Sequence, residues 1–223
     1  MDNNVIIVAG GKGLRMGNEL PKQFIAIGGK PVLMRTIEAF YEFDNRIRII
    51  VVLPRDYKDY WKRTCKEYGF TISHTIADGG ETRFHSVKNG LEFVENGLVA
   101  VHDAARPFAS PELIKRTFEA AKIHKAVIPV TNATDSLREI TGNTGSRIMD
   151  RTKIKFVQTP QVFDSEVLRK AYLVGYNDSF TDDASVVEAY GLEIKLEEGE
   201  TTNIKITTPF DLEIAKVILK EKI

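Results

Sequence analysis

The chain has a single cysteine, Cys65, in 223 residues, so it makes no internal disulfide. That excludes the cross-linked scaffolds of small secreted domains and suits a reducing compartment, so a cytoplasmic setting is expected. Cys65 stands among charged residues and reads as an inert helix thiol rather than a nucleophile. Charge surplus is lacking too. Lys plus Arg and Asp plus Glu each number 31, which excludes the basic footprint of a bulk nucleic-acid binder. No apolar run approaches the roughly 20 residues of a membrane span. The N-terminal residues lead almost directly into Val5-Ile6-Ile7-Val8, with no basic region or cleavage site, so neither a signal peptide nor a membrane partner is expected. The four histidines show no metal-ligand spacing, and His102 reads as packed. Internal repeats and low-complexity tracts are absent.

What is present is an alternation of apolar runs and amphipathic runs. A chain of this length buries roughly 70% of its unfolded surface and needs no staples. Strands are expected at 5–8, 47–53, 71–76, 98–102 and 126–130. Helices are expected at 31–43, 56–68 and 82–93, and from Ser110-Pro111 to about His124, where serine caps and proline takes the first position. That order implies an α/β fold, a doubly wound, mostly parallel Rossmann-like sheet. From 131 to 153 the pattern turns polar. Runs 135–140 and 146–149 flank Thr141-Gly142-Asn143-Thr144-Gly145 and read as a β-hairpin arm projecting from a single domain spanning 1–223. Beyond it come a strand near 156–158, helices from Ser165 and Thr181, a strand near 193–196 and a last helix from Pro209.

In such sheets ligands bind beyond the carboxyl ends of the strands. The first loop there is Ala9-Gly10-Gly11-Lys12-Gly13-Leu14-Arg15-Met16. Gly10, Gly11 and Gly13 let backbone N–H groups approach phosphate oxygens, and Arg15 and Lys22 add positive charge. Met16 stands where a dinucleotide loop needs glycine, and Lys22 lies between Pro21 and Gln23 rather than in Gly-Lys-Ser/Thr, so neither the Rossmann nor the Walker pattern is met. The second loop carries Gly79, Gly80, Arg83 and Ser86; alone, it reads as a strand-to-helix turn capped by Thr82. The third is His102-Asp103-Ala104-Ala105-Arg106-Pro107. Asp103 is well placed to hold Mg²⁺ beside triphosphate oxygens, and Arg106 to bind an anionic group, although an ordinary Asp–Arg pair reads equally well. Thr181-Asp182-Asp183 opens a helix whose N-terminus would attract an anion.

The strings AGGKGLRMGNELPKQF, ADGGETRFHSV, VHDAARPF, MDRTKIKFVQTPQVF, FTDDASVVEAYG and NIKITTPFDL, in this order along nearly the whole chain, resemble the 2-C-methyl-D-erythritol 4-phosphate cytidylyltransferase family. The resemblance implies a cytidylyl transfer from CTP to the polyol phosphate, with Mg²⁺ or another divalent cation as cofactor. It implies catalytic roles for Arg15, Lys22, Arg151 and Lys205, with Arg15 and Lys22 bracing the α-phosphate. It implies nucleotide contacts from Ala9, Gly10, Gly11, Gly13, Arg15, Lys22, Gly80, Arg83, Ser86 and Asp103. Substrate contacts would come from Asp103, Arg106, Ser136, Arg151, Thr159, Thr181 and Lys205, and Asp103 would be the metal ligand. The arm would reach across a homodimer, offering Ser136 and Arg151 to the neighbouring site. Two departures, Ala-Gly-Gly for the commoner Ala-Ala-Gly and Ser136 where threonine is common, remove no functional group. A ribitol-5-phosphate cytidylyltransferase shares the first loop and the NIKITTP-like ending, but HDAARP, MDRTK and TDDAS resemble the methylerythritol enzyme more. A non-catalytic nucleotide binder of the same fold is the third reading.

Overall fold

Val5, Ile6 and Ile7 are fully buried, as an all-apolar strand between two helical layers must be. Alternation along the strand sends Val5 and Ile7 into one core and Ile6 into the other. The computed structural model describes residues 2–10, 20–142 and 144–221. Its elements run β1 (Asn3–Val8), β2 (Ala26–Ile27), β3 (Lys30–Pro31), α1 (Val32–Phe43), β4 (Arg48–Leu53), α2 (Lys58–Glu67), β5 (Thr75–Asp78), α3 (Arg83–Leu91), β6 (Leu98–Asp103), α4 (Pro111–His124), β7 (Ala126–Asn132), β8 (Leu137–Thr141), β9 (Gly145–Met149), β10 (Lys155–Val157), β11 (Gln161–Asp164), α5 (Ser165–Ala171), α6 (Asp183–Ala189), β12 (Lys195–Glu198) and α7 (Pro209–Glu221).

Among the described residues the main sheet has eight strands, ordered β10-β7-β11-β6-β1-β4-β5, with β12 also on β7. Pairs β1–β4, β1–β6, β4–β5 and β7–β12 are parallel. One face packs Leu33, Ile37 and Phe40 of α1, Trp61 of α2 and Leu113 and Phe118 of α4. The other packs Phe84 and Val87 of α3, Leu168 of α5 and Val186 of α6. The sheet is therefore doubly wound. Each such side chain contributes about 1.5–3 kcal/mol by leaving water.

The structure departs from the sequence pattern at several points: the short β2–β3 ladder was not expected, α1 begins at Val32 because Pro31 belongs to β3, and β12 runs Lys195–Glu198 rather than near 193–196. The strand expected at 71–76 is Thr75–Asp78, because its register on β4 pairs Ile50 with Thr75 and Leu53 with Asp78. β11 was not expected; it is four residues long, follows Pro160, and lies antiparallel between β6 and β7. Short length and polar ends hide such a strand from periodicity. β10 and β11 both run against β7, yet Val157 faces Val130 and Val162 faces Val127. Five steps on one side thus answer three on the other, and the surplus falls on Gln158-Thr159-Pro160 as a bulge, the kind of feature that re-aims side chains beside active sites.

The expected hairpin forms as β8–β9, a two-stranded sheet separate from the main one. At the start of α7 the Thr208 hydroxyl accepts the Asp211 N–H at 3.3 Å, and the Asp211 carboxylate accepts from Thr207 and Thr208 N–H. Gly90 lets α3 approach the sheet closely. A Cβ there would stand 2.8 Å from Ile6 Cγ2 and 3.1 Å from Val52 Cγ2. Gly90→Val is expected to lower stability by about 1–3 kcal/mol through overpacking; an unchanged urea midpoint would contradict this packing.

Candidate active site

From β1 the chain passes to β4 on one side, while β6 occupies the other, so the order reverses between β1 and β6. Their last residues, Val8 and Asp103, are register partners. A cavity of about 650 Å³ opens over these ends, with Gly10, Lys22, Gly80, Arg83, Asp103 and Lys205 in its wall. Lys22 enters from a short 3₁₀ turn, Lys22–Phe24, whose neighbour Gln23 is buried and donates from Nε2 to the Ala9 carbonyl at 2.7 Å. Lys205 comes from the segment after β12, held by Ile206 N–H on the Ala105 carbonyl at 2.9 Å.

Asp103 faces three cations: Lys205 Nζ at 2.9 Å, Arg106 Nε at 3.4 Å and Arg83 Nε at 3.8 Å. Burial alone pushes its pKa up, but the pull of Arg83, Lys205 and Arg106 outweighs this and holds the carboxyl well below the usual carboxylate range. Arg106 also donates to the Asn203 carbonyl at 2.7 Å. Asn203 itself is fully buried and donates to the Thr159 carbonyl at 2.8 Å. Gln158 exchanges bonds with Glu200 O and N, at 2.8 and 3.1 Å. The bulge and the Lys205 segment are thus locked together.

His102 is fully buried beneath this cluster. Its Nε2 lies 2.9 Å from the Arg106 carbonyl, an acceptor only, so Nε2 carries the proton. Burial, opposed by that hydrogen bond, pushes its pKa down to about 4, so the ring is neutral near pH 7. Nδ1 is then an acceptor and receives the Thr159 hydroxyl at 3.0 Å. The same hydroxyl accepts the Asp103 N–H at 3.1 Å.

On the far wall, Arg83 makes a two-pronged bond to Asp183, at 2.9 and 2.6 Å. Burial opposes its charge, but Asp183 and Asp103 raise its pKa above the ordinary arginine value. Tyr172 also donates to Asp183, at 2.7 Å. The N-terminus of α6 is already satisfied: Asp183 and Ala184 N–H donate to Gln161 Oε1 at 3.1 and 3.0 Å, and Ser185 N–H to Asp182 at 2.9 Å. It is therefore a self-capped end carrying its own carboxylates, not the anion site expected from Thr181-Asp182-Asp183.

The cavity brings together Ala9, Gly10, Lys22, Gly80, Arg83, Ser86, Asp103 and Lys205. Arg106 and Thr159 join through their contacts with Asp103. Several of these have structural duties. Ser86 Oγ accepts the Gly80 N–H at 3.0 Å, and a Cβ on Gly80 would meet His85 Cβ at 2.3 Å. Ser136, Arg151 and Thr181 are exposed and do not line the cavity; Arg151 donates to the Thr134 carbonyl at the base of the arm. Gly11, Gly13 and Arg15 lie outside the described residues. Sequence reasoning missed Asp183, Gln158, Asn203 and the bracing done by His102. The only signal for Asp183 was the doubled aspartate at the start of α6, which does not say which one caps.

The family model for 2-C-methyl-D-erythritol 4-phosphate cytidylyltransferase (IspD) matches residues 4–221. The chain belongs to this family. It is 57% identical over 220 residues to the 2-C-methyl-D-erythritol 4-phosphate cytidylyltransferase of Bacteroides thetaiotaomicron, covering 98% of this chain and 100% of the relative. Among solved structures, it is similar to the 4-diphosphocytidyl-2C-methyl-D-erythritol synthase of Anaerococcus prevotii, with TM-score 0.83, 31% identity and coverage of 98% and 96%. The family enzyme of Thermus thermophilus matches with TM-score 0.81, 33% identity and coverage of 99% and 100%.

The buried neutral imidazole links stability to pH. Unfolded, His102 takes a proton below about pH 6.5; folded, it resists until about 4. Its contribution is full above about 6.5 and is lost as pH falls toward 4, worth about 3 kcal/mol in all. His74, whose pKa is also lowered by burial, acts in the same direction. Urea midpoints of the metal-free protein should fall steadily from pH 7 to 4.5, and less steeply for His102→Asn; a flat wild-type profile would contradict the burial.

Proposed function

We propose that the chain transfers the cytidylyl group of CTP to 2-C-methyl-D-erythritol 4-phosphate, giving 4-diphosphocytidyl-2-C-methyl-D-erythritol and pyrophosphate, in the non-mevalonate isoprenoid route. The observation that carries this reading is the set of cations, Arg83, Arg106 and Lys205, gathered around Asp103 at the reversal of strand order, with Lys22 in the wall of the same cavity, in a chain matched by the family along almost its full length.

An oxygen of the polyol phosphate attacks the α-phosphorus of CTP in line and pyrophosphate leaves. The attacking group is already an anion, so no serine, cysteine or histidine nucleophile is needed. The chain's task is to align two polyanions and stabilise the charge that builds on the α-phosphate. Lys22 and Lys205, with Arg15 from the first loop, are suited to that task. Arg106 is suited to the phosphate of the polyol.

Asp103 also fits a divalent cation. Its Oδ1 has Arg83 Nε at 3.8 Å as its ion-pair neighbour, too far for a hydrogen bond, while Oδ2 takes Lys205. One carboxylate plus substrate phosphates is a usual Mg²⁺ donor set. Bound there, Mg²⁺ would neutralise triphosphate charge. Arg83, Lys205 and Arg106 together keep Asp103 ionised, and Lys205, at 2.9 Å from Oδ2, helps to aim it.

We further propose a homodimer formed through the arm. Ile140 and Ile148 are 74% and 77% exposed and share one face of the hairpin, since Ile140 opposes Ser146, two residues from Ile148. Ser136 and Arg151 would then serve the neighbouring subunit. No helix of the described residues is long and apolar enough to cross a membrane; a single cysteine, Cys65, suits the reducing cytoplasm that we propose as the setting.

Pyrophosphate release should be fastest with CTP plus methylerythritol phosphate in a panel crossing four nucleotides with methylerythritol and ribitol phosphates; preference for ribitol phosphate, or no release, would overturn the reading. Lys22→Ala should lose about 3 kcal/mol of transition-state stabilisation, roughly two orders of magnitude in kcat. Near-normal turnover would remove Lys22 from the chemistry. Mixing Lys22→Ala with Arg151→Ala subunits should restore part of the activity, because one site per mixed dimer regains both groups. Mixed dimers that stay inactive would exclude action in trans.

A further inference from the structure

We infer that His102 is a positioning residue for the transfer, a buried imidazole that fixes both ends of the Asp103–Arg106 turn. The inference rests on the activity proposed above. His102 directly precedes the turn and is fully buried, packed edge-on against Phe40 with ring centroids 4.9 Å apart. Its two nitrogens do different work. Nε2–H reaches forward to the Arg106 carbonyl at 2.9 Å. Nδ1 receives the hydroxyl of Thr159, which in turn accepts the Asp103 N–H at 3.1 Å. The turn is closed on itself by Arg106 N–H on the Asp103 carbonyl at 3.0 Å.

The ring thus ties the turn to the bulge between β10 and β11. Without Nε2–H, the Arg106 carbonyl loses its buried donor, and an unsatisfied carbonyl inside the protein draws the backbone toward water. Arg106 would move with it, since its guanidinium is aimed by that same backbone toward Asp103 and the Asn203 carbonyl. Gly10 and Gly80 line the cavity too, but the groups His102 bonds are the Arg106 carbonyl and the Thr159 hydroxyl. The defect should therefore fall on the half of the site that Arg106 serves. Thr159 follows the same logic: its hydroxyl is consumed by the bridge, and the residue is only 5% exposed. It acts through Asp103 and His102.

The test pairs two variants. His102→Asn retains a polar group near the position of Nδ1 and has nothing at the position of Nε2. Its KM for the polyol phosphate should rise at least fivefold while its KM for CTP changes less than twofold. A lower kcat with both KM values unchanged, as expected from fewer folded molecules, would overturn the inference, and so would wild-type kinetics. Thr159→Val keeps the shape and deletes the hydroxyl. In the ligand-free protein, amide exchange at Arg106 followed by NMR should accelerate at least tenfold, although Arg106 N–H does not touch Thr159; unchanged exchange would overturn the inference. If His102→Asn does not fold, the exchange result decides. Should the wild type release no pyrophosphate, the proposed activity fails, while the exchange measurement still judges the bracket.

Discussion

A buried carboxylate facing three cations is the constraint on which this site depends. Asp103 alone cannot neutralise Arg83, Arg106 and Lys205, so the ligand-free cluster carries surplus positive charge in a partly desolvated cleft. Bringing like charges together in low dielectric is costly. The structure tolerates it because Arg83 has a second carboxylate behind it, Asp183, and Arg106 has a backbone carbonyl, that of Asn203. What remains uncompensated faces the cavity. A polyanion entering there relieves repulsion already present, which is the preorganisation that electrostatic stabilisation of a transition state requires.

Holding such a cluster takes elements distant in sequence. β6 supplies Asp103, α3 supplies Arg83, and the segment after β12 supplies Lys205. The parallel strands alone would not join them. The joining is done by the β10–β11 bulge, where Gln158 and Thr159 are drawn inward and bonded to Glu200, Asn203, His102 and the Asp103 backbone. The antiparallel intrusion of β11 between β6 and β7 therefore brings the late part of the chain to the crevice between β1 and β6. Arg83 and Asp183 do the same on the opposite wall, across 100 residues of sequence.

Sequence reasoning reached the strands that are buried on both faces and the helices with clear caps, because apolar runs and Ser110-Pro111 act locally. Glycine-rich loops after strands gave the cavity, since the rule about carboxyl ends is topological. It did not reach the bonds that polar residues make with one another. Alone, the second loop read as a strand-to-helix turn capped by Thr82, and the resemblance added nucleotide contacts from Arg83 and Ser86; in the fold both line the cavity, while Arg83 is also bound to Asp183 and Ser86 accepts the Gly80 N–H. The Thr181-Asp182-Asp183 motif read as an anion site because helix dipoles attract anions, yet two aspartates and Gln161 already fill that end. Which buried polar group meets which is a property of packing, and no single-sequence pattern encodes it.

The arm carries the same lesson outward. A two-stranded hairpin standing apart from the main sheet is marginal by itself. This one is held by surface bonds, Arg138 to Ser146 and Arg147 to Glu139, pairs worth a fraction of a kcal/mol each when exposed. Its isoleucines face solvent, against the tendency of a lone domain to avoid apolar patches. Arg151, one residue past Asp150 at the arm's end, is tethered to Thr134 rather than to the cavity. A hairpin that is weak alone, exposes two isoleucines beside Arg138 and Ser146 on one face, and carries an arginine outside its own chain's cavity is consistent with the dimer proposed above. The cation cluster around Asp103 would then be finished from outside, with the arm's ordering and the closure of the site arising from a single association.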